Sequence, residues 1–341
     1  MAETMRVWLS DEPGHENLMI EERPIPKPGP GEVLLKMKAG SLNYRDTIVV
    51  KNQYAAPTSR PIVPLSDGCG EVAAIGEGVT RVKEGDRVAP LFFQDWMSGP
   101  RKNEYVLTAL GGGIDGCLAE YMCLREQGVV KVPKHLTDQE VATLPCAALT
   151  AWNTLNCTGD LKAGDLVVCQ GTGGVSIFAL QFAKMAGAEV VVTSSSDEKL
   201  QQAEKLGADH LINYKENPKW GSKVMEITDG RGADIVVEVG GPGTMGESLK
   251  ALRTNGFIGV IGVLTGQSGE VATVAIMGKS ARVQGISVGS RDWFEDMCRA
   301  ININQLKPVI SDTFGFDDAK SAFETMQSQS HFGKIVIDYK K

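Results

Sequence analysis

The sequence predicts an α/β protein in two parts, a β-rich part and a doubly wound parallel sheet. Three observations predict it. Short strand-like runs broken by Pro and Gly turns fill residues 1–127. Continuous apolar strands alternate with helix-like segments over 128–295. A glycine-rich turn joins the first of those strands to a helix.

In the first part, "EVLLKMKAG" (32–40), "CGEVAAIG" (69–76) and "DRVAPLFF" (86–93) read as strands, with "PIPKPGPGE" (24–32) as a turn-rich entry. In the second, "DLVVCQG", "EVVVTSS", "DIVVEVGG", "GFIGVIG" and "RVQGISVG" are unbroken apolar runs, as strands buried on both faces require. "SIFALQFAKMAG" and "DEKLQQAEKLG" are the intervening helices. The tail, 296–341, ends in "GKIVIDY", a strand expected to rejoin the first part. Domains are therefore expected at 1–127 with 296–341, and at 128–295. The chain length of 341 residues suits two domains.

Net charge of −7 gives no footprint for nucleic acid. No apolar run is long enough to span a membrane, and the N-terminus lacks the apolar segment of a signal peptide. Seven scattered cysteines, none spaced C-x-x-C, read as free thiols in a reducing, cytoplasmic compartment.

The stretch "VVCQGTGGVSIF" carries Gly171, Gly173 and Ser176 where a G-x-G-x-x-G motif has its glycines. The first permits the turn, the second admits a pyrophosphate against the backbone, and the third lets helix and strand pack closely. Ser176 departs from the motif but is small. The expected cradle is Gly171, Thr172, Gly173, Gly174 and Val175, with the phosphates at a helix N-terminus beginning near Gly174. Context, strand before and helix after, marks a dinucleotide-binding Rossmann unit.

An NAD site carries Asp or Glu about 20 residues beyond the first glycine. Here the strand ends in Thr193, Ser194, Ser195 and Ser196. Hydroxyls donate to a 2′-phosphate that a carboxylate would repel, and Lys199 adds positive charge. NADPH is the expected cofactor. Ser195-x-x-Glu198 also reads as a helix capping box.

With "NYRD" (43–46), "GEVAAIGEGV" (70–79), "VKEGDRV" (82–88), "LPCAALTAW" (144–152) and "INY" (212–214), the chain resembles the medium-chain dehydrogenase/reductase superfamily over nearly its whole length, and within it the zinc-free quinone oxidoreductase branch. The resemblance implies a GroES-like catalytic domain, a Rossmann domain and an active site in the cleft between them. It also implies contacts of Lys199 and Tyr214 with the 2′-phosphate, and a homo-oligomer, a dimer or tetramer, built on the Rossmann sheet edge. Places that hold zinc ligands in the alcohol dehydrogenases of the superfamily hold Asn43, Ser66-Asp67 and Cys146 here, and no cysteine falls in 94–116 to make a structural zinc site. A catalytic zinc needs three protein ligands, so no metal is expected. The four histidines are isolated in sequence.

Without zinc, hydride addition to a quinone or an α,β-unsaturated carbonyl is the accessible chemistry, because the charge spreads into an enolate that hydrogen-bond donors can stabilise. The resemblance names Asn43 and Tyr54 as the polar residues of that site. Ile48 stands where the family has a second tyrosine. Asp46 is expected to pair with a base or cap a turn. Phe92, Phe93 and Trp96 wall a flat pocket or form core, and "GGGIDG" (111–116) is a loop over the site or a turn. Two other readings stand beside the first: an enoyl-thioester reductase, and a non-catalytic NADPH-binding protein on the same fold.

Overall fold

The computed structural model describes residues 3–54, 58 and 60–340. In chain order its elements are β1 (Thr4–Leu9), β2 (Met19–Pro24), β3 (Glu32–Leu42), α1 (Tyr44–Val50), β4 (Asp67–Ile75), β5 (Arg87–Pro90), β6 (Tyr121–Arg125), β7 (Val129–Lys131), α2 (Asp138–Ala142), α3 (Leu149–Trp152), β8 (Leu166–Gln170), α4 (Gly174–Met185), β9 (Glu189–Ser194) and α5 (Asp197–Lys205). There follow β10 (His210–Asn213), α6 (Trp220–Ile227), β11 (Ala233–Glu238), α7 (Pro242–Ala251), β12 (Leu252–Val260), α8 (Thr273–Gly278), β13 (Arg282–Gly285), α9 (Arg291–Asn304), β14 (Ile310–Gly315), α10 (Ala319–Ser328) and β15 (Lys334–Asp338). Among these, no helix is long and apolar enough to cross a membrane.

Two compact units result: Met1–Leu149 with Gly289–Lys341, and Thr150–Val288. The boundary expected at 127/128 lies at 149/150, because β7 pairs with β5 and keeps the following chain in the first unit. The return falls at 288/289 rather than 295/296, since Arg291 N–H and Asp292 N–H bond to the carbonyls of Trp96 and Met97.

The first unit is built on a largely antiparallel sheet, in the order β14-β15-β3-β4-β5-β7, with β6 also on β3. The C-terminal strand rejoins it as expected: β15 runs antiparallel to β3, with Ile335 opposite Leu42. All five residues of β15 are buried. The core includes Val33, Leu35, Leu42, Leu65, Val72, Phe316, Phe323, Ile335 and Ile337.

The second unit is a six-stranded sheet in the order β10-β9-β8-β11-β12-β13, every pairing parallel. The chain starts in the middle and winds outward both ways, which is the doubly wound arrangement. The apolar runs explain it: β8 and β11 lie inside the sheet and are buried at every residue. Parallel neighbours need long crossovers, and the helices supply them. α5 is amphipathic and turns Leu200 and Ala203 inward.

Candidate functional site

In the second unit, β8 ends at Gln170 and Gly171 turns the chain with φ +70°. That left-handed conformation favours glycine. A Cβ added at Gly171 or Gly173 would meet no atom within 4 Å, so the cradle opens onto free space. Gly173 caps α4 without any side-chain hydrogen bond, leaving the helix's first N–H groups for a ligand. Thr172 is buried beside it, and Gly174 and Val175 form the helix's first turn. Ser176, at the third glycine position, is no defect: its Oγ donates 2.6 Å to Gln170 O and ties helix to strand. Residues and geometry fit a dinucleotide pyrophosphate.

The strand end below the cradle is held by a buried network the sequence reading missed. Gln170 Nε2 donates to Glu238 Oε2 at 2.6 Å, and Gly240 N–H and Gly241 N–H each donate to Glu238 Oε1 at 2.9 Å. Glu238 is fully buried, so these bonds offset its lost hydration. A Glu after the apolar run 235–237 of a buried strand was the signal.

β9 and β10 run parallel with Ser194 opposite Asn213, so both strands finish at one corner. Tyr214 N–H donates 3.0 Å to Ser194 O, and Tyr214 is 42% exposed. Ser194 is buried, while Ser195 and Lys199 are partly exposed. The cap of α5 is Ser196, not Ser195: Ser196 Oγ accepts from Lys199 N–H at 3.3 Å. The cap expected at Ser195 thus falls one residue later, because Ser194 and Ser195 finish the strand and its turn first, and with Lys199 at its third position it is a single cap rather than a capping box. Burial lowers the Lys199 pKa against the field of Glu198. The structure brings Ser194, Ser195, Lys199 and Tyr214 to the ends and starts of adjacent elements.

In the first unit, Asn43 ends β3's approach to α1, and its backbone N–H donates 2.8 Å to Asp46 Oδ2. Asp46 is 1% exposed; burial pushes its pKa up while Arg45 pulls against that. Arg45 Nη1 reaches Asp46 Oδ1 at 3.3 Å and Leu110 O at 2.6 Å. Its guanidinium lies 4.9 Å from the Tyr54 ring centroid and 4.8 Å from that of Phe92. Tyr54 is thereby linked to Asn43 through Arg45 and Asp46. Asp46 both pairs with a base and caps the turn, as expected.

Asn43 Nδ2 donates to Ser66 Oγ at 3.3 Å, and Ser66 Oγ donates to Asp67 Oδ1 at 3.1 Å. Cys146 N–H donates to Asp67 Oδ2 at 3.3 Å. Cys146 sits in a π-helical turn, Leu144–Ala148, an irregularity frequent at functional sites. Burial, with the Asp67 carboxylate beside it, raises its thiol pKa well above the ordinary range, so it stays protonated at neutral pH.

The residue that sequence reading missed here is Lys334. It is 2% exposed, and its Nζ donates 2.6 Å to Asn43 Oδ1 and 2.6 Å to Leu42 O. Asp67 Oδ2 is 3.8 Å away. Burial pushes the Asp67 carboxyl up to about 6 against the Lys334 ammonium. A lysine opening a fully buried strand was the only sequence signal.

This donor set does not fit a zinc ion. The Asn43 oxygen and both Asp67 oxygens are occupied by protein donors, and a buried ammonium stands among them, where it would repel a divalent cation. Among the described residues, no group of three or more His, Cys, Asp or Glu is placed to hold a metal.

The surroundings resolve two open readings. Phe92, Phe93 and Trp96 are 4%, 4% and 2% exposed and pack as core, although Phe92 also faces Arg45. "GGGIDG" is a tight turn: a Cβ on Gly111 would lie 2.7 Å from the Leu65 backbone, and one on Gly116 would lie 2.1 Å from Leu65 O. It buttresses the chain immediately before Ser66.

Known proteins resemble this chain closely. Residues 29–134 match the alcohol dehydrogenase GroES-like domain and residues 174–302 match the zinc-binding dehydrogenase family. A zinc-type alcohol dehydrogenase-like protein of Schizosaccharomyces pombe is 44% identical over 341 residues, spanning 98% of this chain and 99% of its own. A Sinorhizobium meliloti 1021 protein crystallised as an alcohol dehydrogenase superposes with TM-score 0.93 at 43% identity, covering 99% of this chain and 100% of that one. A structure described as an NAD-dependent alcohol dehydrogenase gives TM-score 0.89 at 31% identity, covering 98% and 99%. With a GroES-like unit, a Rossmann-type unit and full-length relatives of this kind, the chain belongs to the medium-chain dehydrogenase/reductase superfamily of oxidoreductases.

Proposed function

We propose that the protein is an NADPH-dependent, zinc-independent oxidoreductase that transfers hydride to a quinone or an α,β-unsaturated carbonyl. The observation that carries this reading is the Lys334 ammonium bonded to Asn43, in the place where zinc-dependent members hold metal ligands. Alcohol oxidation would need an alkoxide stabilised by a Lewis acid, and this cluster has no room in its charge balance for one. A conjugated acceptor asks less, because charge spreads over an enolate and hydrogen-bond donors stabilise it.

The nucleotide is held by Gly171, Thr172, Gly173, Gly174 and Val175 at its pyrophosphate, and by Ser194, Ser195, Lys199 and Tyr214 at its 2′-phosphate. When bound it supplies the hydride. Asn43 donates to the acceptor oxygen the Nδ2 hydrogen that Ser66 does not take, and Tyr54, beside the Arg45 guanidinium, is the second polar group. With the nucleotide bound, the acceptor would gain hydride at carbon and a proton from water or tyrosine. A cytoplasmic setting suits the free cysteines. A homodimer through β13 suits its place as outer strand, with all four residues exposed; light scattering at a dimer's mass supports it, and a monomer's mass removes it.

The test is NADPH oxidation across quinones, enones, enals, enoyl thioesters and simple aldehydes. Turnover with quinones or enones is the expected result. Turnover confined to thioesters would move the assignment to an enoyl-thioester reductase. Turnover with none would favour a binding role.

A further inference from the structure

Lys334 and Asn43 together define a direction. An ammonium has three N–H donors and no acceptor. The Asn43 atom 2.6 Å from Lys334 Nζ is therefore the amide oxygen, and the amide nitrogen is turned to Ser66. Ser66 accepts from that nitrogen and donates to Asp67. The hydrogen bonds run one way, from ammonium through carboxamide and hydroxyl to carboxylate. A neutral amide or hydroxyl in place of Lys334 would accept as readily as donate, and only the weaker Ser66–Asp67 end, at 3.3 and 3.1 Å, would then hold the Asn43 carboxamide. Leu42 O takes a second N–H of the ammonium and pins it at the start of β15. The positive charge at the oxygen also polarises the amide and makes its N–H a stronger donor.

We propose that Lys334 is a positioning residue that locks the Asn43 carboxamide as a hydrogen-bond donor. The proposal rests on the reading of Asn43 as donor to the acceptor oxygen. Lys334 itself, at 2% exposure and already bonded to two protein oxygens, acts only through Asn43.

The experiment is a double-mutant cycle in the full-length protein, using NADPH with 1,4-benzoquinone or trans-2-hexenal. Asn43→Ala is expected to lower kcat about 100-fold, the loss of one oxyanion donor. Lys334→Met should lower kcat comparably with KM for NADPH unchanged, and Lys334→Met/Asn43→Ala should be no slower than Asn43→Ala. Lys334→Arg should recover most of the rate, since a guanidinium also only donates. Losses that add in the double variant would overturn the role of Lys334 and leave Asn43 as the donor. Full activity in Asn43→Ala would overturn both. Where Lys334→Met does not fold, Lys334→Gln replaces it. A measurement free of substrate closes the test: the Asn43 side-chain amide protons, assigned in 15N-asparagine-labelled protein, should exchange slowly in wild type and faster in Lys334→Gln. Equal exchange in the two would overturn the proposal.

Discussion

Asn213 Nδ2 donates a 2.7 Å hydrogen bond to Asp197 Oδ1, so the first carboxylate after the serine run is engaged with the end of β10. The corner beside Ser194 and Ser195 therefore presents hydroxyls and Lys199, with Asp197 turned to another partner. On this arrangement Lys199→Ala should weaken NADPH about tenfold to a hundredfold, the worth of one charged hydrogen bond, and leave NADH nearly unchanged. Ser195→Asp should go further, repelling the 2′-phosphate and offering NADH a ribose acceptor. Dissociation constants for both nucleotides in the three proteins decide it. A wild type that prefers NADH, or equal weakening of both by Lys199→Ala, would remove the NADPH assignment.

The cradle gives a second prediction. Gly173 has φ −79°, open to any residue, and a Cβ there meets nothing in the protein. Gly173→Val should leave the fold intact by circular dichroism while abolishing nucleotide binding by calorimetry, because the branched side chain fills the space for the pyrophosphate. Undiminished affinity would place the phosphates elsewhere.

Metal removal is the third. Exhaustive dialysis against chelator should leave turnover unaltered, since the donors around Asn43, Ser66 and Asp67 are bonded to protein and face an ammonium. Elemental analysis run in parallel completes the check. Stoichiometric zinc, with activity lost on its removal and restored by its return, would falsify the zinc-independent reading.

Asp234 provides a pH-dependent prediction in the second unit. Burial alone would raise its pKa; the Leu166 N–H at 2.7 Å and the guanidiniums of Arg253 and Arg231 outweigh burial and lower it. A carboxylate depressed in the folded state contributes stability above its unfolded pKa, and that stability is lost as pH falls through the folded value. Asp234→Asn should cost roughly 1–3 kcal/mol at pH 7, with the gap to wild type closing as pH drops below about 4. Urea unfolding at both pH values measures it. A gap that stays constant with pH would show the loss to be steric.

The doubly wound sheet and the glycine turn were legible because their causes are local. Strands such as "LVVC" are apolar at consecutive residues only when both faces are covered, and all of β8 proved buried. Gly171 is a glycine because its own φ is positive. The helix cap misled by one residue because three serines in a row all suit a cap, and only the hydrogen bond from Lys199 N–H selects Ser196. The domain boundary misled because residues 128–149 read like a start of the second unit, while pairing of β7 with β5 holds them in the first.

By itself the sequence determined the parallel α/β unit, the glycine turn, the serine-rich strand end and the absence of cysteine and histidine at Asn43 and Ser66. Each of these is written in a few adjacent residues, through periodicity, φ preference or side-chain chemistry. Tertiary structure alone decided that Lys334 meets Asn43, 291 positions away, and that Glu238 locks Gln170, 68 positions away. Those pairs exist because β15 lies antiparallel against β3 and β11 lies parallel against β8. Strand neighbours are chosen by the packing of the whole sheet, and no local stretch of chain carries that choice.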